Sequence, residues 1–297
     1  MSADGVSIWI WKLNPEDKMK FTVIIALLST LFLSHAAAGV NADVLRPQVI
    51  KLQRFRKALW KINVTVKERS GDFLFDTGGG ITLLGGEFSK GIECNFWGRT
   101  TGYNMFGKRS DGPHCDDVPL RADGVGLTTV SVGKINFGDQ FPGDRAPDGL
   151  LSLDAFDGKI ITLDQAAATL TIETSKSLMK RIKKMTEVPM RISRECSARC
   201  LSVFMGVRTS KGTVWMLLDS GAGGVSLISK DHAGIFGLDA DKKEQRVSFK
   251  IIGDISVDSP VVVTDMIMDG NLGQPFLSQH VITIDLNRGR LWISKNK

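Results

Sequence analysis

The sequence predicts an all-β protein built from two related halves. Three observations carry that expectation: one stretch of the chain occurs twice, short runs rich in β-branched residues are bounded by Gly or Asp turns, and helical period is weak almost everywhere. A composition of 42% hydrophobic and 24% charged residues over 297 positions belongs to a packed globular chain, long enough for one large domain or two small ones. Collagen-like, low-complexity and disulfide-dense scaffolds are excluded by 31 Gly, 15 Phe and only four Cys. The net charge of +6 is spread along the sequence, with 38 basic and 32 acidic residues. It implies solubility or surface adhesion, and no nucleic-acid partner is expected.

From Met19 the chain reads MKFTVIIALLSTLFLSHAAAGVNADV: a Lys, an apolar run from Phe21 to Leu33, then small residues at Ala36, Ala37, Ala38 and again at Ala42. These are the parts of a secretory signal peptide, with cleavage after Ala38 or Ala42. Residues 1–42 are therefore expected to be removed, and the true start is expected at Met19, because Trp9, Trp11 and three acids suit a basic n-region poorly. The expected location is secreted, periplasmic or otherwise extracytoplasmic. An uncleaved anchor through residues 21–40 is the alternative, and a membrane is a partner only in that case.

The first half, 43–175, opens with a segment carrying Arg46, Lys51, Arg54, Arg56 and Lys57. It reads either as a short basic propeptide or as the first strand and its lead-in. Strands are predicted at 81–83 (ITL), 129–132 (TVSV) and 159–163 (KIITL), and in the second half, 188–297, at 247–252 (VSFKII) and 281–284 (VITI). Between the halves, 176–187 is expected to be a linker; SKSLMKRIKKM at 175–185 is the main helical stretch and reads as a solvated helix.

The repeat aligns DGLLSLDAFDGKIITLDQAAATLTI, starting at Asp148, with DGNLGQPFLSQHVITIDLNRGRLWI, starting at Asp269, without a gap. Identities fall at Asp148/Asp269, Gly149/Gly270, Leu151/Leu272, Ile161/Ile282, Thr162/Thr283, Asp164/Asp285, Leu170/Leu291 and Ile172/Ile293. Upstream of each copy lies a second matched element, LFDTGGGITLL around Asp76 and LLDSGAGGVSLI around Asp219. The first half is longer between its two elements by about 22 residues, an insertion that holds Cys94 and Cys115. In an oxidising compartment the four cysteines allow three pairings. Sequence neighbours are the expected partners, Cys94 with Cys115 and Cys196 with Cys200, the latter requiring a turn; free buried thiols are the alternative. No metal site is expected, since His114 beside Cys115 lacks a second ligand pair at finger spacing.

Each matched Asp ends an apolar run, so its carboxylate emerges from a low-dielectric surface where an isolated charge is costly. Gly78 and Gly221 permit tight loops whose amides approach the carboxylates, and Thr77 and Ser220 can bond across an axis relating the loops. Packing the halves about a pseudo-twofold axis would bring Asp76 and Asp219 side by side. Two such carboxyls share one proton and titrate as a pair. One can then deprotonate a water while the other donates to a carbonyl oxygen, which is what direct amide hydrolysis needs.

These residues resemble the two-lobed aspartic peptidases, the pepsin-like and retropepsin-like superfamily: FDTG at 75–78, LDSG at 218–221, and the downstream DGLLSL and GNLGQPF elements. The resemblance runs from about residue 45 to 297 and implies two related β-barrel-like lobes with an active-site cleft between them. It further implies Asp76 and Asp219 as the catalytic pair, Thr77 and Ser220 as bracing hydroxyls, Gly78 and Gly221 as loop glycines, no cofactor, and a monomer acting on a peptide or protein. The chain departs from the pattern at Gly79, where the family has Ser, Thr or Ala, and at Ser152, where Leu150 and Leu151 should be followed by Gly. With Gly79 and Ala222 the dyad lacks a hydroxyl donor, so the acid limb of its pH profile is expected at milder pH. The flap that folds over substrate in the family is expected near 120–126 (LRADGVG), with Tyr103 elsewhere. A catalytically silent binding or inhibitor module on the same fold is the rival reading. Nucleophilic alternatives fail because no GxSxG occurs and His114, His232 and His280 lack a motif context; His232 reads as a surface residue and His280 as a strand-edge one.

Overall fold

Strands Ile160–Asp164 and His280–Asp285, the two copies of the repeat, pair with each other antiparallel. Thr162 and Thr283 stand opposite one another, their hydroxyl oxygens 2.8 Å apart and 121 residues apart in sequence. They are the same position of the two copies. Their neighbours pair crosswise, Ile161 with Ile284 and Leu163 with Ile282, so a local twofold axis passes between the two threonines.

These contacts come from a computed structural model that describes residues 46–56, 58–128, 130–141, 145–253 and 255–296. The segment assigned to a signal peptide or anchor lies outside the described residues. From Arg46 onward the chain forms one compact unit of three sheets, an all-β, bilobal architecture. The repeat strands are the middle of a six-stranded sheet shared by both halves, flanked by Thr169–Ile172 and Gln48–Lys51 on one side and by Arg290–Lys295 and Thr186–Val188 on the other. A division at 176–187 into lobe, linker and lobe therefore misses a layer. Residues 176–187 hold most of helix Ser175–Arg181, a 3₁₀ turn at Ile182–Lys184 and the start of the edge strand Thr186–Val188. The basic segment near the start is folded: Gln48–Lys51 and Gln53–Phe55 are strands, and Ile50 and Leu52 are buried in the core.

Thr162 also donates to the buried carboxylate of Glu173 at 2.9 Å, and Arg181 closes the group by pairing with that carboxylate. A buried carboxylate is costly without its donors, and its removal takes from Thr162 and Arg181 their charged acceptor and leaves a gap in the core. Glu173→Ala should thus lower the stability to urea unfolding by about 2–4 kcal/mol, without changing the slope of the transition.

Each lobe has its own sheet and the same central device. In the first, Gly149–Leu151 runs parallel to Arg69–Phe75 and antiparallel to Leu83–Gly85. In the second, Gly270–Leu272 lies parallel to Gly212–Leu218 and antiparallel to Ser226–Ser229. The inserted strand fixes the residue just past its parallel neighbour: Asp76 N donates to Leu151 O at 3.0 Å, and Asp219 N to Leu272 O at 3.1 Å.

The first-lobe sheet ends in a long hairpin, Trp97–Tyr103 with Arg109–Val118, attached through Val130–Ile135. This corrects the flap expected at 120–126. Leu120–Ala122 and Val125–Gly126 form a hairpin too short to cover anything, tightly turned at Asp123 and Gly124, whose φ values are 48° and 81°. It buries Leu120 and Ala122 against Leu59–Val66 and accepts from Lys51 N through Asp123.

Candidate active site

Asp76 and Asp219 leave their strands toward each other, and each is turned by the glycine two residues on. Gly78 N donates to Asp76 Oδ1 at 2.9 Å; Gly221 N and Ala222 N donate to Asp219 Oδ1 at 2.9 and 3.1 Å. A β-carbon on Gly78 would stand 2.6 Å from Asp219 Cγ, and one on Gly221 2.5 Å from Asp76 Oδ2. The space a side chain would take in one loop is filled by the carboxyl of the other, and the two carboxyls meet as an interacting pair.

The loops are joined by four reciprocal bonds. Thr77 Oγ1 donates to Leu218 O at 2.7 Å and accepts from Ser220 N at 2.9 Å. Ser220 Oγ donates to Phe75 O and accepts from Thr77 N, both at 2.9 Å. Both side chains are buried. The pairing is the local twofold again, with each loop supplying the same contacts to the other.

Burial, and then the charge of Asp219, push the Asp76 carboxyl well above the ordinary carboxylate range. Burial raises Asp219 as well, against hydrogen bonds from Asn271, Asp76 and the amides of Gly221 and Ala222. The pair thus sits where one proton can be held and one given up.

A cavity of about 350 Å³ opens on the dyad, lined also by Met105, Val225, Leu227 and Asn271. Met105 belongs to the tip of the long hairpin, and its carbonyl accepts from Ile267 N of the second lobe at 3.0 Å. Tyr103 stands at the end of the hairpin strand, exposed. The hairpin therefore roofs the cleft and touches the far wall.

The cysteines pair as Cys94–Cys115, with Cα atoms 6.1 Å apart, and Cys196–Cys200, 5.4 Å apart. The first staples the base of the hairpin. The second closes a turn from the second lobe that rests on the first: Leu201 N donates to Gly80 O at 2.7 Å, and Arg199 donates to Ser131 Oγ and His114 Nε2, both at 3.2 Å. His114 is buried in that contact. His232 is half-buried against Ser229, and His280, buried, donates from Nδ1 to Phe276 O. No cluster of three or more His, Cys, Asp or Glu suited to a metal occurs among the described residues.

Sequence reasoning missed Asn271 and the hairpin. Asn271 Nδ2 donates to Asp219 Oδ2 at 2.7 Å, and the side chain is fully buried. The signal was present: in an otherwise apolar element, Asn271 is aligned with Leu150. The hairpin left no such trace, since Trp97–Tyr103 is largely exposed and has no alternating apolar pattern.

No protein-family model and no curated protein sequence matches the chain. Among solved structures, it is similar to conglutin gamma, a basic 7S globulin from lupine seeds, at 11% identity and a TM-score of 0.55, over 84% of this chain and 95% of that one. Basic 7S globulin from soybean aligns at 10% identity and a TM-score of 0.52, covering 85% of this chain and 95% of that one. An aspartic proteinase from Irpex lacteus aligns at 13% identity and 0.50, over 85% and 98%. At these identities the likeness shows the fold, which is aspartic-proteinase-like, and fold alone does not decide activity.

Proposed function

We propose that the chain is an exported aspartic-type endopeptidase that hydrolyses peptide bonds with a water activated between Asp76 and Asp219. The observation that carries this reading is the pair of facing carboxyls, held by crossed bonds from Thr77 and Ser220 at the floor of a roofed cleft. One carboxyl is ionised and takes a proton from the water; the other, protonated, donates to the carbonyl oxygen of the substrate. Substrate is an extended peptide, its backbone facing the hairpin and its apolar side chains facing Met105, Val225 and Leu227. Admission of several residues requires the hairpin tip to lift from Ile267. Two disulfides support an oxidising compartment, and no helix among the described residues is long and apolar enough to cross a membrane.

The test is hydrolysis of unfolded protein between pH 3 and 7 by the parent, Asp76→Asn and Asp219→Asn. A parent that binds peptide without cutting it supports the second reading, a silent binding module, which the cleft bridged from Met105 to Ile267 favours. Gly221→Ala provides a geometric check: its new carbon displaces the Asp76 carboxyl, so hydrolysis should fall by about 10²-fold or more in a chain that keeps its circular dichroism.

A further inference from the structure

We infer that Asn271 is a positioning residue that makes the two aspartates unequal, holding Asp219 as the carboxylate and leaving the shared proton on Asp76. This rests on the proposed endopeptidase reading for its catalytic consequence, but not for its chemistry.

The crossed Thr77 and Ser220 bonds match between the lobes, but the donors to the two carboxyls do not: Asp219 also takes the Ala222 amide and, from a side chain, Asn271. In the first lobe Leu150 lies beside the Asp76 loop; in the second the aligned residue is Asn271. Leu150 offers no donor, and its Cδ2 would stand 2.6 Å from a β-carbon at position 79, which accounts for Gly79. In the second lobe the donor lost by having Ala222 in place of a hydroxyl residue is supplied from the neighbouring strand. The Asn271 amide cannot be reversed. Leu227 N donates to its Oδ1 at 2.7 Å, so Nδ2 is the end that faces Asp219 Oδ2. Asp219 therefore accepts from protein on both oxygens, while Asp76 has backbone donors only. Among the described residues lining the cavity, the two aspartates are the only titratable ones, so no other described side chain there offsets the difference. Hydrogen bonds to the charged form favour that form.

The roles follow. Asp219 removes a proton as the water oxygen bonds to the carbonyl carbon, and the proton on Asp76 passes to the carbonyl oxygen. When the C–N bond breaks, the proton on Asp219 goes to the leaving nitrogen and a diol hydroxyl returns its proton to Asp76. Water is consumed and both carboxyls end as they began.

The test is a ¹³C carboxyl titration of both aspartates in the parent, in Asn271→Leu and in Asn271→Leu/Ala222→Ser, with pH–rate profiles of the same proteins. In Asn271→Leu the lower titration step should rise by about one unit, and the acid limb of the rate should move with it. The serine should restore most of that shift: a β-carbon at the matched position 79 would lie 3.3 Å from Asp76 Oδ2, so a hydroxyl at 222 comes to the Asp219 carboxylate. In the parent, the Asn271 Nδ2 proton resonance should follow the lower step, a reading available even where the leucine variant does not fold. An unmoved lower step in folded Asn271→Leu, a double variant that stays with the single one, or an Asn271 resonance indifferent to that step would each overturn the inference. A parent that titrates this way but hydrolyses nothing defeats the endopeptidase reading and leaves the inference standing; hydrolysis with an unmoved step does the reverse.

Discussion

Asp76→Asn should abolish amide hydrolysis, by roughly 10³-fold or more, and at neutral pH should leave the chain harder to unfold than the parent. The first effect would follow from losing the group proposed as the acid of the dyad. The second follows from linkage. Burial and Asp219 raise the Asp76 carboxyl in the folded state, so between the unfolded carboxyl range and the raised folded value the native chain binds more protons than the unfolded one. Stability from this site is therefore fully present below about pH 4 and declines as pH rises from there toward the folded value. Asparagine keeps the acceptor for Gly78 N, presents a donor to Asp219, and does not titrate. The expected gain is on the order of 1–2 kcal/mol at pH 7, vanishing below about pH 4. Asp154 is also raised, to about 7, by burial, but it is common to parent and variant and drops out of the comparison.

Asp219→Asn should be equally inactive without that gain. Its carboxylate oxygens face Asn271 Nδ2 on one side and two backbone amides on the other. Either orientation of an asparagine there sets an NH₂ group against a donor, which leaves polar hydrogens buried and unpaired. Urea midpoints of the two variants at pH 7 should fall on opposite sides of the parent's. Equal midpoints would remove the ground for calling the dyad unequal, and hydrolysis surviving in both variants would remove the two-carboxylate mechanism.

The duplicated FDTG and LDSG elements made the aspartates, their bracing hydroxyls and the all-β class legible, because each motif joins an apolar strand to a tight turn and the repeat fixes their relation. The shared sheet was harder to read. Ile160–Asp164 and His280–Asp285 are recognisable as strands, but runs buried on both faces do not state their partner, and these two pair across the lobes. The flap was misplaced for a related reason. Asp123–Gly124 is a strong local hairpin signal and does form a hairpin, whereas the hairpin over the cleft has exposed polar strands and a disulfide at its base, which leave no alternating pattern. The absent hydroxyl at 79 and 222 led to an expectation of a weakened ionised form. Asn271 supplies that donor to one aspartate from a separate strand, a contact that only the pairing of Gly212–Leu218 with Gly270–Leu272 creates.

Thr77→Val should cost about 2–4 kcal/mol of stability, more than its volume suggests, because valine keeps the shape and removes the bonds. The hydroxyl serves the opposite loop twice, accepting from Ser220 N and donating to Leu218 O. Both partners are deep in the junction and have no water to turn to, so each becomes an orphan worth about 1–3 kcal/mol. Ser220→Ala removes the mirror pair, with Thr77 N and Phe75 O left unpaired. The single losses should not sum. Once either loop is released the loops can separate and rehydrate, so the double variant should fall short of additivity by about 1 kcal/mol. Thr77→Ser keeps the hydroxyl and should lie within about 1 kcal/mol of the parent, separating bond loss from methyl loss. Urea unfolding at constant slope measures all four proteins. A Thr77→Val protein within about 0.5 kcal/mol of the parent would mean that the loops are set by their strands alone. The two aspartates would then owe their meeting to Leu151 and Leu272, which hold the Asp76 and Asp219 amides from below.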